Sequence, residues 1–373
     1  MASNGRRSIV TLKEVADRAL VSLGTASRVL NNHPKVQPDL RLRVLNAATE
    51  LGYPLEKGRA NYGLAPVNFN PFARIPGDNL ALEVAPGQNP EITHVAFCCR
   101  PVISPLMDET YNPYFSKILH GVEAECRQQN LHLIYRIIND DPAALETGRQ
   151  KLQESGAEAL LLINFISEEL VRGLLELNLP AVLVDHYFPE MALDIVSHEN
   201  FHSAFRAVRY IIEKGHRRVG FINGLPHFTI MDRFEGYRRA LEEAGIPFNP
   251  DYVIQGDLLI EGGIKAAHQV VEQNLDCTAY FCANDDTAIG FIQGLRSHKL
   301  HVPSDISVVG FDDEESARLI TPALTTVKAN PVGVGRMAVR RLLERVKYPH
   351  LPVTQTLICT TLVERDSVSP LRK

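Results

Sequence analysis

From residue 92 onward, short apolar runs alternate with amphipathic stretches, and few folds accommodate that order. His94–Cys98, Leu131–Ile138, Ala159–Ile163, Ala181–Val184, Val219–Ile222, Thr278–Cys282 and Ser307–Phe311 are apolar segments of strand length. Tyr114–Gln129, Glu168–Leu177, Phe201–Lys214 and Asp286–Ser297 lie between them with helical spacing. Strands that are apolar on both faces must be covered on both sides, so the alternation predicts an α/β fold of parallel sheets flanked by helices. Residues 92–368 are long for one doubly wound sheet, so two lobes are expected. Ligands in such folds bind at the carboxyl ends of the strands.

The first 62 residues differ in charge and pattern. They carry ten Lys and Arg against five Asp and Glu, whereas the whole chain has 39 against 44. A small basic head on an acidic body suggests a separate module for a polyanion. Thr11-Leu12-Lys13-Glu14 has the form of a capping box, and Leu12, Val15, Ala16 and Ala19 follow at helical spacing. Ser22 can cap a second helix with Ala26, Val29 and Leu30 on its inner face. Leu40, Val44, Leu45, Ala48 and Leu51 form a third apolar stripe that Gly52 ends. Residues 63–91 contain five prolines and three glycines and read as an extended linker. The expected division is therefore a head and hinge at 1–62, a linker at 63–91 and a two-lobed body at 92–368.

Two short helices joined by Leu20-Val21-Ser22 have the dimensions of a helix-turn-helix, whose second helix enters a DNA major groove. The outward face of that helix carries Leu23, Gly24, Thr25, Ser27 and Arg28. Arg28 can make two parallel hydrogen bonds to a guanine edge, and the short hydroxyls suit phosphates or bases. Asn31 ends the helix where a phosphate can lie.

Thr11-Leu12-Lys13-Glu14-Val15-Ala16 followed by Val21–Asn31, then Val36–Arg41 and Glu50-Leu51-Gly52-Tyr53, resembles the head of lac repressor-type (LacI/GalR) transcriptional regulators. The resemblance implies base-reading roles for Leu23, Gly24 and Arg28, and phosphate contacts for Thr25, Ser27 and Asn31, with Tyr53 also at the DNA. It continues through Asn112-Pro113-Tyr114-Phe115, Gly215–Phe221, Arg233–Tyr237, Ala283-Asn284-Asp285, Pro303–Asp313 and Pro322–Val327. In this family the body is a two-lobed periplasmic-binding-protein fold, crossed by three strands, with an effector cleft between the lobes. The segment Pro54–Tyr62 departs from the pattern, because Tyr62 stands where the family's hinge helix has a groove-inserting leucine. Leu55, Tyr62 and Leu64 remain alternative wedges.

The chemistry of the body agrees with a cleft. Asp185 follows the apolar run Ala181–Val184, Asp312 follows Val308–Phe311, and Asn284 with Asp285 follow Cys282. Converging Asp, Asn and Arg side chains can hold the hydroxyls of a small polar ligand. The resemblance implies effector contacts for Tyr114, Asp185, Arg233, Asn284 and Asp312. Asp285 is read equally as a helix cap, and Asp313 as structural. Leu258, Leu259 and Ala329 replace groups that stack on or bond to sugars or purines in relatives, so a sugar-like effector is expected by analogy only. His186, His198, His227 and Phe228 are further candidates for the cleft wall.

Two motifs point elsewhere. His198-Glu199-Asn200-Phe201-His202 matches a zinc-protease signature, but Asp194–Ser197 reads as strand, which puts the two histidines in different geometries. Gly333-Val334-Gly335-Arg336-Met337-Ala338 matches a dinucleotide loop without the preceding strand or the following acid. No metal, cofactor or catalytic residue is expected. The six cysteines contain no Cys-x-x-Cys pair and read as buried thiols. No run approaches the roughly 18 apolar residues of a membrane span, and Met1–Arg7 leads into no apolar core. The expectation is a cytoplasmic, homodimeric DNA-binding regulator, a repressor on a pseudo-palindromic operator that answers to a small polar effector. The alternative is a small-ligand binding protein of periplasmic type without DNA function.

Overall fold

The computed structural model describes residues 11–30, 40, 43–44, 47–48, 92–100, 113–225 and 227–371. The chain divides into two compact units, Met1–Ala85 and Pro86–Lys373. In the first, helix α1 (Leu12–Arg18) opens with the expected capping box. The Thr11 hydroxyl accepts from the Glu14 amide at 3.4 Å, and Glu14 Oε2 accepts from the Thr11 amide at 2.7 Å. Ser22 Oγ accepts the Thr25 amide at 3.1 Å and starts α2 (Leu23–Leu30). Val15, Ala16, Ala19, Ala26 and Val29 bury against Val44, Ala47 and Ala48. The Arg43 guanidinium reaches back to the Ala19 and Leu20 carbonyls at 2.7–3.1 Å and closes the turn between the helices. Leu45, Leu51, the hinge segment Pro54–Tyr62 and the linker 63–91 lie outside the described residues.

The second unit contains the two expected lobes. Strands β1 (His94–Cys99), β2 (His132–Ile137), β3 (Ala159–Ile163), β4 (Ala181–Val184), β5 (Asp194–His198) and β11 (Gln355–Ile358) form a parallel sheet in the order β11-β5-β4-β3-β1-β2. The second sheet holds β6 (Val219–Asn223), β7 (Val253–Gln255), β8 (Ala279–Cys282), β9 (Ser307–Asp312), β10 (Thr325–Lys328) and β12 (Thr361–Val363) in the order β12-β10-β9-β8-β6-β7. Strand β12 runs antiparallel to β10, against the all-parallel expectation. It enters straight from β11 in the other lobe, with no crossover helix to return the chain.

The inner strands β1, β3, β4, β6 and β8 are mainly apolar because helices cover both faces. Val95, Phe97, Leu161 and Ile163 pack with α3 (Pro113–Gln128) and α11 (Pro331–Lys347). The alternate residues Ala96, Cys98, Leu160 and Leu162 pack with α4 (Leu145–Glu154) and α5 (Glu168–Leu175). The second sheet has α6 (Phe201–Glu213) and α7 (Phe228–Glu243) on one face. Helices α8 (Ile260–Glu272) and α9 (Asp285–Ser297) cover the other, with the short α10 (Glu315–Leu319) nearby. The chain passes between lobes after β5, after β10 and between β11 and β12, so residues 199–200, 329–330 and 359–360 are the crossings. Cys98, Cys126, Cys277 and Cys282 are buried free thiols, while Cys359, on the last crossing, is exposed.

The Gly-x-Gly motif at 333–335 has a packing role. It forms the first turns of α11, where Asn330 Oδ1 caps the Gly333 amide at 2.9 Å. A methyl group at Gly335 would strike the Ile118 carbonyl, and one at Gly121 would strike the Val332 carbonyl. These glycines let α3 and α11 approach backbone to backbone. Gly335→Ala should therefore cost about 1–3 kcal/mol through overpacking, despite alanine's better helix propensity. Urea unfolding of the full chain checks this, and an unchanged or raised midpoint would refute it.

Candidate functional site

On the first unit, α2 exposes Leu23, Gly24 and Arg28, with Thr25 and Ser27 half-buried. Thr25 Oγ1 shares a 2.9 Å hydrogen bond with Ser22 Oγ. Arg28 Nε donates to the Gly24 carbonyl at 3.2 Å, and the guanidinium lies over the glycine, 3.8 Å from where a Cβ would stand. A Cβ at Gly24 would stand in ordinary van der Waals contact with Arg28. Asn31 and Tyr53 lie outside the described residues.

On the second unit, two strand ends and two helices bring Tyr114, Asp185, Arg233 and Asp312 together between the lobes. Asp185 stands just past β4 and Asp312 ends β9, and both take positive φ, 55° and 120°. The buried Arg233, from α7, donates through Nε to Asn200 Oδ1 at 2.9 Å and through a terminal nitrogen to the Ala283 carbonyl at 2.5 Å. Its guanidinium lies 3.5 Å from the centre of the Phe311 ring and 3.7 Å from Asp312 Oδ1. That last separation is too long for a hydrogen bond, so Asp312 Oδ1 has no hydrogen-bond partner within the described residues. Burial pushes the Asp312 carboxyl well above the usual range despite Arg233.

The other lobe contributes a chain of contacts. Tyr114 Oη is 2.8 Å from His198 Nδ1, and His198 Nε2 accepts the Asn330 amide at 2.8 Å. Ser197 Oγ donates to Asp185 Oδ1 at 3.3 Å, and His198 Nδ1 stands 3.7 Å from the same oxygen. Burial raises the Asp185 carboxyl, but His198, His227 and Arg233 together hold it below its ordinary value. Burial, with Asp185 and Asp312 beside it, keeps the Tyr114 phenol protonated. The arrangement offers carboxylate acceptors from both lobes and a fixed guanidinium between them, which suits a ligand rich in hydroxyls.

Asn284 does not join this set as a free amide. It is the N-cap of α9, accepting the Thr287 amide at 3.1 Å and donating to the Leu258 carbonyl at 2.9 Å. The cap reading for Asp285 is corrected accordingly. Its carboxylate turns inward, accepting from Thr326 Oγ1 at 2.5 Å and the Glu314 amide at 2.8 Å. Burial pushes its carboxyl up to about 7. Asp313 is structural, paired with Arg318 and Arg365. The two histidines of the His-Glu-x-x-His stretch part company: His198 ends β5 and is buried, while the exposed His202 lies in α6 and bonds Glu199 at 2.9 Å. Asn200 was not singled out by sequence, yet it fixes Arg233 from the first crossing. An adjoining cavity of about 280 Å³ lies against that crossing, lined by Tyr187, Glu199, Phe201 and Asp232 among others.

His186 and His227 face each other from opposite lobes with ring centres 4.5 Å apart. Burial holds His186 down to about 2 and His227 down to about 4. Between pH about 6.5 and 4 the unfolded chain therefore binds protons at these sites that the folded chain does not, and they lose stability as pH falls. Asp285 and Asp312, raised by burial, act in the opposite sense over the same window. The histidine contribution is isolated by comparison with His227→Gln: from pH 7.5 to 5 the native chain should lose stability relative to the variant. Parallel urea midpoints across that range would contradict a buried neutral His227.

Comparisons with known proteins agree with the helix-turn-helix head and the two-lobed body. Residues 11–54 match the family model for bacterial regulatory proteins of the lacI family, and residues 208–368 match a periplasmic binding protein-like domain. The HTH-type transcriptional repressor PurR of Photorhabdus laumondii is 32% identical, over 96% of this chain and 97% of its own length. The repressor CytR of Escherichia coli is 30% identical over the whole of both chains. A solved complex of the transcriptional regulator CelR with cellobiose superposes with a TM-score of 0.68 at 25% identity, covering 96% of this chain and 99% of that one.

Proposed function

The chain belongs to the lacI family of bacterial regulatory proteins, and on that premise we propose how its parts divide the work of a DNA-binding repressor controlled by a small effector. Residues 1–62 form the DNA-binding head and hinge, 63–91 the linker and 92–368 the effector-binding and dimerisation body. Leu23 and Arg28 meet base edges in the major groove, Gly24 leaves them room, and Thr25, Ser27, Asn31 and Tyr53 meet the backbone. The protein acts in the cytoplasm as a homodimer, placing two heads on neighbouring half-sites of a pseudo-palindrome. Among the described residues no helix is long and apolar enough to cross a membrane.

The observation that carries the effector reading is the convergence of Asp185 and Tyr114 from one lobe with Arg233 and Asp312 from the other. A hydroxyl-bearing ligand there touches both lobes and favours their closed arrangement. CelR binds cellobiose in its solved complex, which supports a sugar-like effector here. By linkage, effector and operator alter each other's affinity by the same factor. The test is selection of genomic fragments on the purified protein at near-physiological salt, with and without a metabolite extract. A shared pseudo-palindrome whose retention changes with extract is the expected result. No enrichment under either condition would overturn the reading in favour of ligand binding alone.

A further inference from the structure

Five of the nine buried polar side-chain atoms without a hydrogen-bond partner among the described residues lie in this cleft, which decides where an unmet ligand group would sit. They are Arg100 Nε, both nitrogens of His186, His227 Nε2 and Asp312 Oδ1. Four of the five are nitrogens. His186 is 1% exposed and His227 8%, and leaving such groups unpaired is costly. Their neighbours do not relieve them. His186 packs edge-on against Phe188 at 4.4 Å and near Phe228 at 5.6 Å, neither of which offers a lone pair. His227 Nδ1 is bonded to Thr229 Oγ1 at 2.7 Å, which leaves only Nε2.

We propose that the effector carries an anionic group, a phosphate or carboxylate, and that Arg100, His186 and His227 receive it between the lobes. This rests on the reading of the cleft as the effector site. Arg100 follows β1 and His186 follows β4 in one lobe, while His227 precedes α7 in the other. Opening of the lobes separates the two rings and admits the ligand, and closure brings donors onto it from both sides. Arg100 is a permanent cation, and each imidazole, neutral while buried, offers one N–H and gains a second when a bound anion favours its protonated form, so the set matches an acceptor-only group. Neutral hydroxyls need acceptors as well, which Asp185 and Asp312 supply, with Asp185 close enough to act on His227. The charged groups acting on the rings are Arg100, Arg233 and Asp185. The ligand is thus divided, with a polyol end at Asp185, Arg233 and Asp312 and an acidic end at the three nitrogen donors.

The test is calorimetric titration of the full chain with inorganic phosphate, with glucose, glucose 6-phosphate and gluconate, and with ribose and ribose 5-phosphate. Phosphate should bind with a dissociation constant near the millimolar range, and acidic sugars about tenfold or more tighter than their neutral parents. Arg100→Gln and His227→Gln should each remove most of that preference, and Arg100→Lys should keep part of it. Preference for 6-phosphate or for gluconate identifies which acid the subsite takes. No phosphate binding up to about 10 mM, or equal affinity for neutral and acidic partners, would overturn the proposal. Neutral sugars that bind and lose binding only in Asp312→Asn would overturn the anion subsite and leave the effector site standing. Acidic sugars unaffected by Arg100→Gln, His227→Gln and Asp312→Asn alike would overturn both.

Discussion

Arg233→Gln should abolish the effector response while leaving operator affinity in the absence of effector within about twofold. The guanidinium joins Asn200 on a crossing, the Ala283 carbonyl, the Phe311 ring and the Asp312 carboxylate. Its loss leaves a buried acid without its counter-charge, which costs about 3–5 kcal/mol where the acid cannot protonate. The raised Asp312 carboxyl takes a proton readily, so the loss should fall at the lower end. Asp312→Asn keeps the volume but removes the charge and turns one acceptor oxygen into an amide donor, so it should spare folding and still weaken effector binding about tenfold or more. Operator titrations with the effector at saturation, alongside urea unfolding of each variant, separate the two effects. A normal response in both variants would remove the cleft from the mechanism.

The response follows from where these groups come from. A ligand shifts an equilibrium only by its differential affinity for the two states. Because Tyr114 and Asp185 belong to one lobe and Arg233 and Asp312 to the other, a bridging ligand has its full set of contacts only when the lobes are closed. The lobes also touch directly, through the Lys117–Glu314 ion pair and the Tyr187–Asp232 hydrogen bond of 2.8 Å.

Much of this was legible in the residues. The apolar runs marked β1, β3, β4, β6, β8 and β9 because strands covered on both faces have no polar positions to confuse the pattern. Strand β7 has only three residues, and β11 reads Gln355-Thr356-Leu357-Ile358 at a sheet edge, so neither carries a periodic signal. Asp185, Arg233 and Asp312 could be placed in the cleft because each borders a recognisable element. Asn284 also follows a strand, but a cap and a ligand contact demand the same residue type, and only the fold shows its amide engaged at both ends. Asn200 and Arg100 were not legible at all. The hold of Asn200 on Arg233 comes from the crossing of two lobes, and the unpaired Nε of Arg100 from its packing, and neither leaves a local pattern.

Arg28→Ala should lower discrimination between the operator and a sequence altered at the contacted base by about 1–3 kcal/mol, with non-specific binding largely kept. The side chain is exposed, and within the helix only its Nε is engaged, on the Gly24 carbonyl. A bidentate contact to guanine is within reach of such a group, and a bonded Nε holds the planar fork in a defined direction. Gly24 borders the same group, because a Cβ there would stand in ordinary contact with the guanidinium at 3.8 Å and a branched side chain would crowd it. Gly24→Val should therefore change which base is preferred at that position rather than weaken binding uniformly. A phosphate-contacting residue behaves differently: its loss weakens binding to all sequences and reduces the salt dependence by about one unit of slope. Competition binding with single-base operator variants at two salt concentrations distinguishes the roles. If Arg28→Ala flattens the salt dependence and leaves base preference intact, Arg28 holds the backbone and the reading of sequence passes to Leu23.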